Sequence, residues 1–134
     1  MAGPSLSSDA QLVLQVIPGL DWRALPDDQV TILSANVESR TLHLQVQYGG
    51  GCADHGLALV TGAELAESFP PFTLLRLAHD AHGDPCDALI TRSLEIDLSP
   101  IVPLVQQSGA HALRFELLEP GGQPSNVGEL LLAF

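Results

Sequence analysis

Both cysteines of the chain stand a few residues from a histidine. Tyr48–Gly56 reads YGGGCADHG and His79–Asp87 reads HDAHGDPCD; these segments hold Cys52, Cys86 and three of the five histidines, His55, His79 and His82. Four chemistries fit such a set. A Cys52–Cys86 disulfide ties the segments together, worth roughly 3–4 kcal/mol for the loop it closes, and requires an oxidising compartment. A transition-metal site takes Cys52 and His55 from one segment and His79 and Cys86 from the other. Two thiolates and two imidazoles suit tetrahedral Zn²⁺, thiolate also suits Cu(I), and His82 is a fifth donor. The spacing of the second pair is not that of a zinc finger. Asp54, Asp80, Asp84 and Asp87 supply oxygen ligands of the kind Ca²⁺ takes, although acids in turns ordinarily bond their own backbone.

A catalytic thiolate with a histidine base is the third chemistry, but no third orienting residue stands out. In the fourth the cysteines are free, small buried residues, and Gly49–Gly51 is only a bulged turn using positive φ. The disulfide leads and the metal site is the sharper alternative. They exclude each other, because a sulfur bonded to sulfur is no longer a thiolate ligand.

The elements that position these residues read as strands. QLVLQVIPG alternates Leu12, Leu14 and Val16 before Pro18-Gly19 ends the run. QVTILSANVE places Thr31, Leu33, Ala35 and Val37 on one parity. TLHLQVQY turns Leu42, Leu44 and Val46 inward and His43 outward. GLALVTG follows with Leu57 and Leu59, and PPFTLLRLAHD with Leu75, Leu77 and His79 opposite Phe72, Leu74 and Ala78. ALITRSLEIDL, HALRFELLEP and VGELLLAF complete the series. TGAELAESFP is expected to make a short helix stopped by Pro70-Pro71. SPIVPLVQQSG is expected to make a helical crossover with Ser99 as N-cap, Pro100 in the first turn and Gly109 as the stop. Trp22 is expected to cap one end of the core. Glu38, Glu95, Asp97, Glu116 and Glu119 fall on solvent-facing parities.

Strands at this spacing with polar turns make an all-β fold: an immunoglobulin-like antiparallel β-sandwich of seven or eight strands with a short helical crossover. Residues 1–10 read as a flexible segment and 11–134 as a single domain. If successive strands alternate in direction, the segments after Tyr48 and after His79 leave the sandwich at the same end. Gly121–Asn126 joins them there if the crossover returns the chain upward.

The totals narrow the function. With 134 residues, 46% of them hydrophobic, the chain has enough apolar surface for a real core. Five arginines face sixteen acids, and the net charge of −11 repels phosphate backbones and anionic lipid surfaces. Nucleic acid is therefore not expected as a partner. No apolar run approaches the ~20 residues of a membrane span, so no membrane insertion is expected. MAGPSLSSDA lacks the basic and apolar regions of an export leader. GGG lacks the lysine and strand–helix context of a phosphate loop.

YGGGCADH (Tyr48–His55), HDAHGDPCDALI (His79–Ile90) and DLSPI (Asp97–Ile101) resemble a motif of small uncharacterised bacterial β-proteins, often exported or lipid-anchored. The resemblance implies an extracytoplasmic sandwich module and no activity. The expectation is a non-enzymatic binding or assembly module, periplasmic or at the cell surface, with the cytoplasm as the alternative. Its Cys/His end is expected to be disulfide-stapled or to hold zinc or copper. A protein partner, or self-association through the GELLLAF strand, is expected at a sheet edge.

Overall fold

The alternating runs fold as strands whose buried parities face one another across two sheets. The computed structural model describes residues 3–134. It contains β1 (Gln11–Val13), β2 (Gln15–Val16), β3 (Thr31–Glu38), β4 (Thr41–Gly50), β5 (Gly56–Thr61), β6 (Phe72–Asp80), β7 (Ala88–Asp97), the short helix α1 (Val102–Gln107), β8 (Ala112–Glu119) and β9 (Gln123–Ala133). One sheet has the order β1-β7-β4-β3, the other β2-β5-β6-β8-β9. Between them Leu42, Leu44, Val46, Leu94 and Ile96 meet Leu57, Leu59, Leu75, Leu77, Leu113 and Phe115 in one buried cluster.

The sandwich architecture is the expected one, with nine strands and with sheets that are mixed. β1 runs parallel to β7, β2 to β5 and β6 to β8. The last pairing follows from the crossover: Ser99–Ile101 forms a 3-10 turn, α1 continues it, and Gly109 at φ +84° releases the chain to return β8 beside β6. Asp97, not the Ser99 side chain, assists the helix entry, its Oδ1 accepting from Ser99 N–H at 2.9 Å. QLVLQV divides at Leu14. Gln11–Val13 joins one sheet and Gln15–Val16 the other, so a single segment lines an edge of each. Leu12 and Leu14 are both buried there.

Three other details depart from the sequence reading. A register shift between Ile32 and Ser34 reverses the parity at the start of β3, burying Ile32 and leaving Leu33 exposed, while Ala35 and Val37 keep the expected side and pack against the core; a bulge does this because it inserts one residue into a period of two. Glu119, expected in solvent, is half-buried and accepts from Ile32 N–H at 2.8 Å. TGAELAESFP forms no helix. Ala63 has φ +66°, and Ala66 exchanges backbone hydrogen bonds with Phe72, which folds the segment back on β6.

All six residues of β5 are buried, because the outer face of its sheet is covered as well. Leu25 closes over Ala58, Val60 and Ala78, with Leu6, Leu20 and Trp22 packed around them. Trp22 thus serves a second, smaller apolar cluster and not one end of the main core. Within the segment expected to be flexible, Ser7 exchanges two backbone hydrogen bonds with Leu57; residues 1 and 2 lie outside the described residues.

Phe115→Ala removes a fully buried ring and is expected to lower the unfolding free energy by about 3–5 kcal/mol. Leu131→Ala, on the exposed side of β9, is expected to stay within about 0.5 kcal/mol of the parent. Urea denaturation of the two variants checks both values.

Candidate functional site

The two Cys/His segments meet, although not as hairpin tips. β4 pairs with β7 up to Gly50 opposite Ala88, and β5 pairs with β6 from Gly56 opposite Asp80. Residues 51–55 therefore carry the chain from the first sheet to the second, and residues 81–87 carry it back at the same end. Cys52 and Cys86 join these arches in a disulfide, with their Cα atoms 5.7 Å apart. β8, parallel to β6, also finishes at this end, followed by the turn Pro120–Gly122. Of the expected Gly121–Asn126 loop, residues from Gln123 onward belong to β9.

The centre of the cluster is Asp84. Its Oδ2 accepts from three successive backbone N–H groups, Gly51 at 3.1 Å, Cys52 at 3.2 Å and Ala53 at 3.1 Å, and from His55 Nε2 at 2.8 Å. Oδ1 accepts from Cys86 N–H at 3.0 Å. Consecutive amides curled around an anion form a nest, and the glycines make this one possible. Gly51 has φ +116°, outside the range that side chains tolerate. A Cβ on Gly50 would sit 2.7 Å from His55 Nε2 and 2.9 Å from Asp84 Oδ2. Gly50 therefore clears the space that the carboxylate and the imidazole occupy.

His55 continues the network inward. Its Nδ1 lies 2.7 Å from His79 Nε2, and His79 Nδ1 lies 3.1 Å from both the Asp28 and the Gln29 carbonyl oxygens. Tyr48 stacks on His55 with ring centroids 4.3 Å apart. Three links join Asp84, His55, His79 and the carbonyls, and each needs one proton. The carbonyls can only accept, so His79 Nδ1 carries hydrogen and His79 Nε2 accepts from His55 Nδ1–H. Two neutral imidazoles supply two protons; the cluster holds a third.

The hydrogen bond from His55 holds the Asp84 carboxyl well below its ordinary range, aided by the Cys86 N–H. An ionised Asp84 can only accept, so the hydrogen of this link sits on His55 Nε2. Burial lowers the pKa of His79, and this outweighs the opposing effect of the Asp28 carbonyl, which agrees with a neutral ring there. The side chains of His55 and Asp84 are 1% and 0% exposed.

Of the five sequence candidates, Cys52, His55, His79 and Cys86 are brought into or beside one network. His82 stands outside it. Its ring is exposed, donates from Nδ1 to the Asp54 carbonyl at 2.7 Å and lies 3.6 Å from Asp80. Asp84 lies within 4.8 Å of both sulfurs, but sulfurs joined to each other are not thiolate donors. The four ring nitrogens of His55 and His79 already have partners. Sequence reasoning named Asp84 only as one of four turn acids and did not connect Tyr48 with the histidines. The available signal was the run of small residues after Tyr48, which leaves backbone amides uncovered for an anion.

No family model matches the chain, and no curated protein matches it in sequence. Solved structures share the fold. A protein of unknown function, DUF1344, from Bacteroides vulgatus superposes with a TM-score of 0.61 at 11% identity, covering 92% of this chain and 56% of its own. A NigD-like immunity protein from Bacteroides caccae gives 0.59 at 17% identity, over 81% and 53%. A candidate lipoprotein from Bacteroides fragilis gives 0.64 at 12% identity, over 90% and 70%. The chain spans little more than half the length of the first two.

Gly50→Ala is expected to lose roughly 1–3 kcal/mol by overpacking. Gly49→Ala, where a Cβ would meet nothing within 4 Å, is expected to change stability by less than about 0.5 kcal/mol. Thermal melts of the pair distinguish a required vacancy from a tolerated one.

The pKa directions also fix an acid limb. His79 is lowered in the fold, so below about pH 6.5 the unfolded chain takes up a proton that the folded chain refuses, and stability falls with pH. Asp84 is lowered too, so a second fall begins near pH 4, where the unfolded carboxylate protonates first. Urea titrations from pH 8 to pH 3 are expected to show both, and Asp84→Asn to shrink the lower one, leaving the share of Asp97, whose carboxyl is also lowered by its hydrogen bonds from Ser99.

Proposed function

We propose that this chain is a non-enzymatic binding or assembly module that works outside the cytoplasm, with a single sandwich domain over residues 11–134. The observation that carries the reading is that the residues best suited to chemistry are engaged with one another. The two sulfurs form a bond, and the Asp84 carboxylate and the His55 and His79 rings are closed from solvent by the arches that they hold. Such a cluster acts as a clamp on two cross-sheet connections and leaves recognition to the outer surfaces. A disulfide persists in oxidising compartments and is rare in the cytosol. The fold is shared with a candidate lipoprotein and with a NigD-like immunity protein, which favours an envelope setting and a protein partner. Among the described residues no helix is long and apolar enough to cross a membrane.

Thiol titration of protein purified without reductant is expected to find no reactive sulfhydryl, native or denatured. Reduction is expected to lower stability by about 3–4 kcal/mol. One zinc or copper per chain retained through purification, with two titratable thiols, would replace this reading with a metal carrier built from Cys52, His55, His79 and Cys86. An activity abolished by thiol alkylation would replace it with an enzyme.

A further inference from the structure

The five-stranded sheet is only partly covered on its outer side. The connector bearing Leu20, Trp22 and Leu25 closes over β5 and over the Ala78–His79 end of β6, and leaves Leu74, nearer the start of β6, exposed. Beside it lies a cavity of about 460 Å³, whose walls include Trp22, Leu65, Phe72, Leu74, Arg76 and Leu118. That volume is within the range of small-molecule sites, about 300–1,000 Å³. Leu74 in its wall is 39% exposed, a large apolar side chain left partly open to solvent.

Arg76 is the cation among the residues that line this cavity, beside Thr61, Glu64 and Thr73, and its donors are poorly used. The guanidinium stacks over Trp22 at 4.5 Å. Its Nη1 reaches only the Trp22 carbonyl, at 3.4 Å. Among the described residues, Arg76 Nε is the one buried side-chain nitrogen or oxygen without a hydrogen-bond partner. Space is kept for the group: a Cβ on Gly122 would lie 2.7 Å from Nη2.

In a protein with sixteen acids, no described carboxylate comes within 4.0 Å of this cation. Glu64, the acid in the cavity lining, does not reach it either. Arg114, by comparison, pairs with Glu129 at 3.3 Å. A partly buried guanidinium over an aromatic ring at the wall of a largely apolar cavity is matched by a carboxylate, which accepts two parallel N–H bonds.

We propose that the Trp22–Arg76 cavity binds a small organic carboxylate with an apolar body, its head on Arg76 and its body against Leu65, Phe72, Leu74 and Leu118. The same chemistry is presented by a free aryl or alkyl acid and by the end of a peptide with an apolar last residue. The proposal deepens the binding-module reading and rests on it.

The single tryptophan of the chain lines the cavity, so its fluorescence reports occupancy. The intact oxidised protein is titrated with 4-phenylbutyrate and 4-phenylbutanol, and with acetyl-Gly-Gly-Phe as free acid and as amide. Saturable fluorescence change is expected with at least one acid, and binding at least about tenfold weaker for its uncharged analogue, the share of one charge-assisted hydrogen-bond set. Preference between the two acids identifies the source of the carboxylate. Arg76→Met, which keeps the apolar stem, is expected to weaken binding by tenfold or more in a protein that still melts cooperatively. Leu74→Glu, on the exposed wall, is expected to block the body independently.

Equal binding of acid and uncharged analogue would overturn the proposal. So would undiminished binding by both variants, or no saturable change with either acid up to about 10 mM, a bound weaker than any specific site of this size. Should it fail while the thiol and metal results above hold, the cavity is removed as the site and the stapled module stands.

Discussion

An ionised carboxylate can be withdrawn from water only where donors replace its hydration. Asp84 meets that condition through four backbone amides and one imidazole supplied by two separate connections between the sheets. The rest of this end of the molecule follows. The arch after β4 must curl so that consecutive N–H groups point inward, which calls for glycine at 50 and 51. The arch after β6 must bring its aspartate to that centre, and the sulfurs on either side then come within bonding reach. The disulfide fixes an arrangement that the carboxylate already specifies, while His55 and His79 carry it into the core.

The imidazole pair extends the constraint to a third segment. His79 Nδ1 is directed at the carbonyls of Asp28 and Gln29, and the backbone of His79 bonds with Pro26 and Asp28 on the same stretch. The connector that covers the outer face of the five-stranded sheet is thereby anchored at one end to the buried network. Its other features, Trp22 and Leu25 over β5, set the boundary of the uncovered cavity. Order in the arches and the shape of the outer surface are two expressions of one set of hydrogen bonds.

Much of the fold was legible because burial here follows a period of two. Leu42, Leu44 and Val46, then Leu113, Phe115 and Leu117, face inward as their alternation indicates. The meeting of the two cysteine segments was legible from strand direction alone. The failures have local physical causes. The bulge in β3 reverses a parity that no residue type announces. Residues 61–70 have helical composition, but backbone pairing between Ala66 and Phe72 outweighs it. Glu119 looks like a surface acid and instead satisfies an amide of the opposite sheet. At the site, side-chain types suggested thiol and metal chemistry; the decisive acceptor was an aspartate bonded to backbone, and backbone donors leave no letter in a sequence beyond the glycines that expose them.

The ring closed by Cys52 and Cys86 encloses all of β5 and β6 and the loop between them, where Phe69 is 96% exposed. A protease that cut this loop would produce two polypeptides, each keeping one half of the cystine. They would stay covalently tethered, and neither ladder of the β5–β6 pair would have to open. A nick at the α1 turn, outside the ring, has no such tether. The loop between β5 and β6 is therefore an exposed place where scission, or the grafting of a foreign segment, leaves the molecule in one piece.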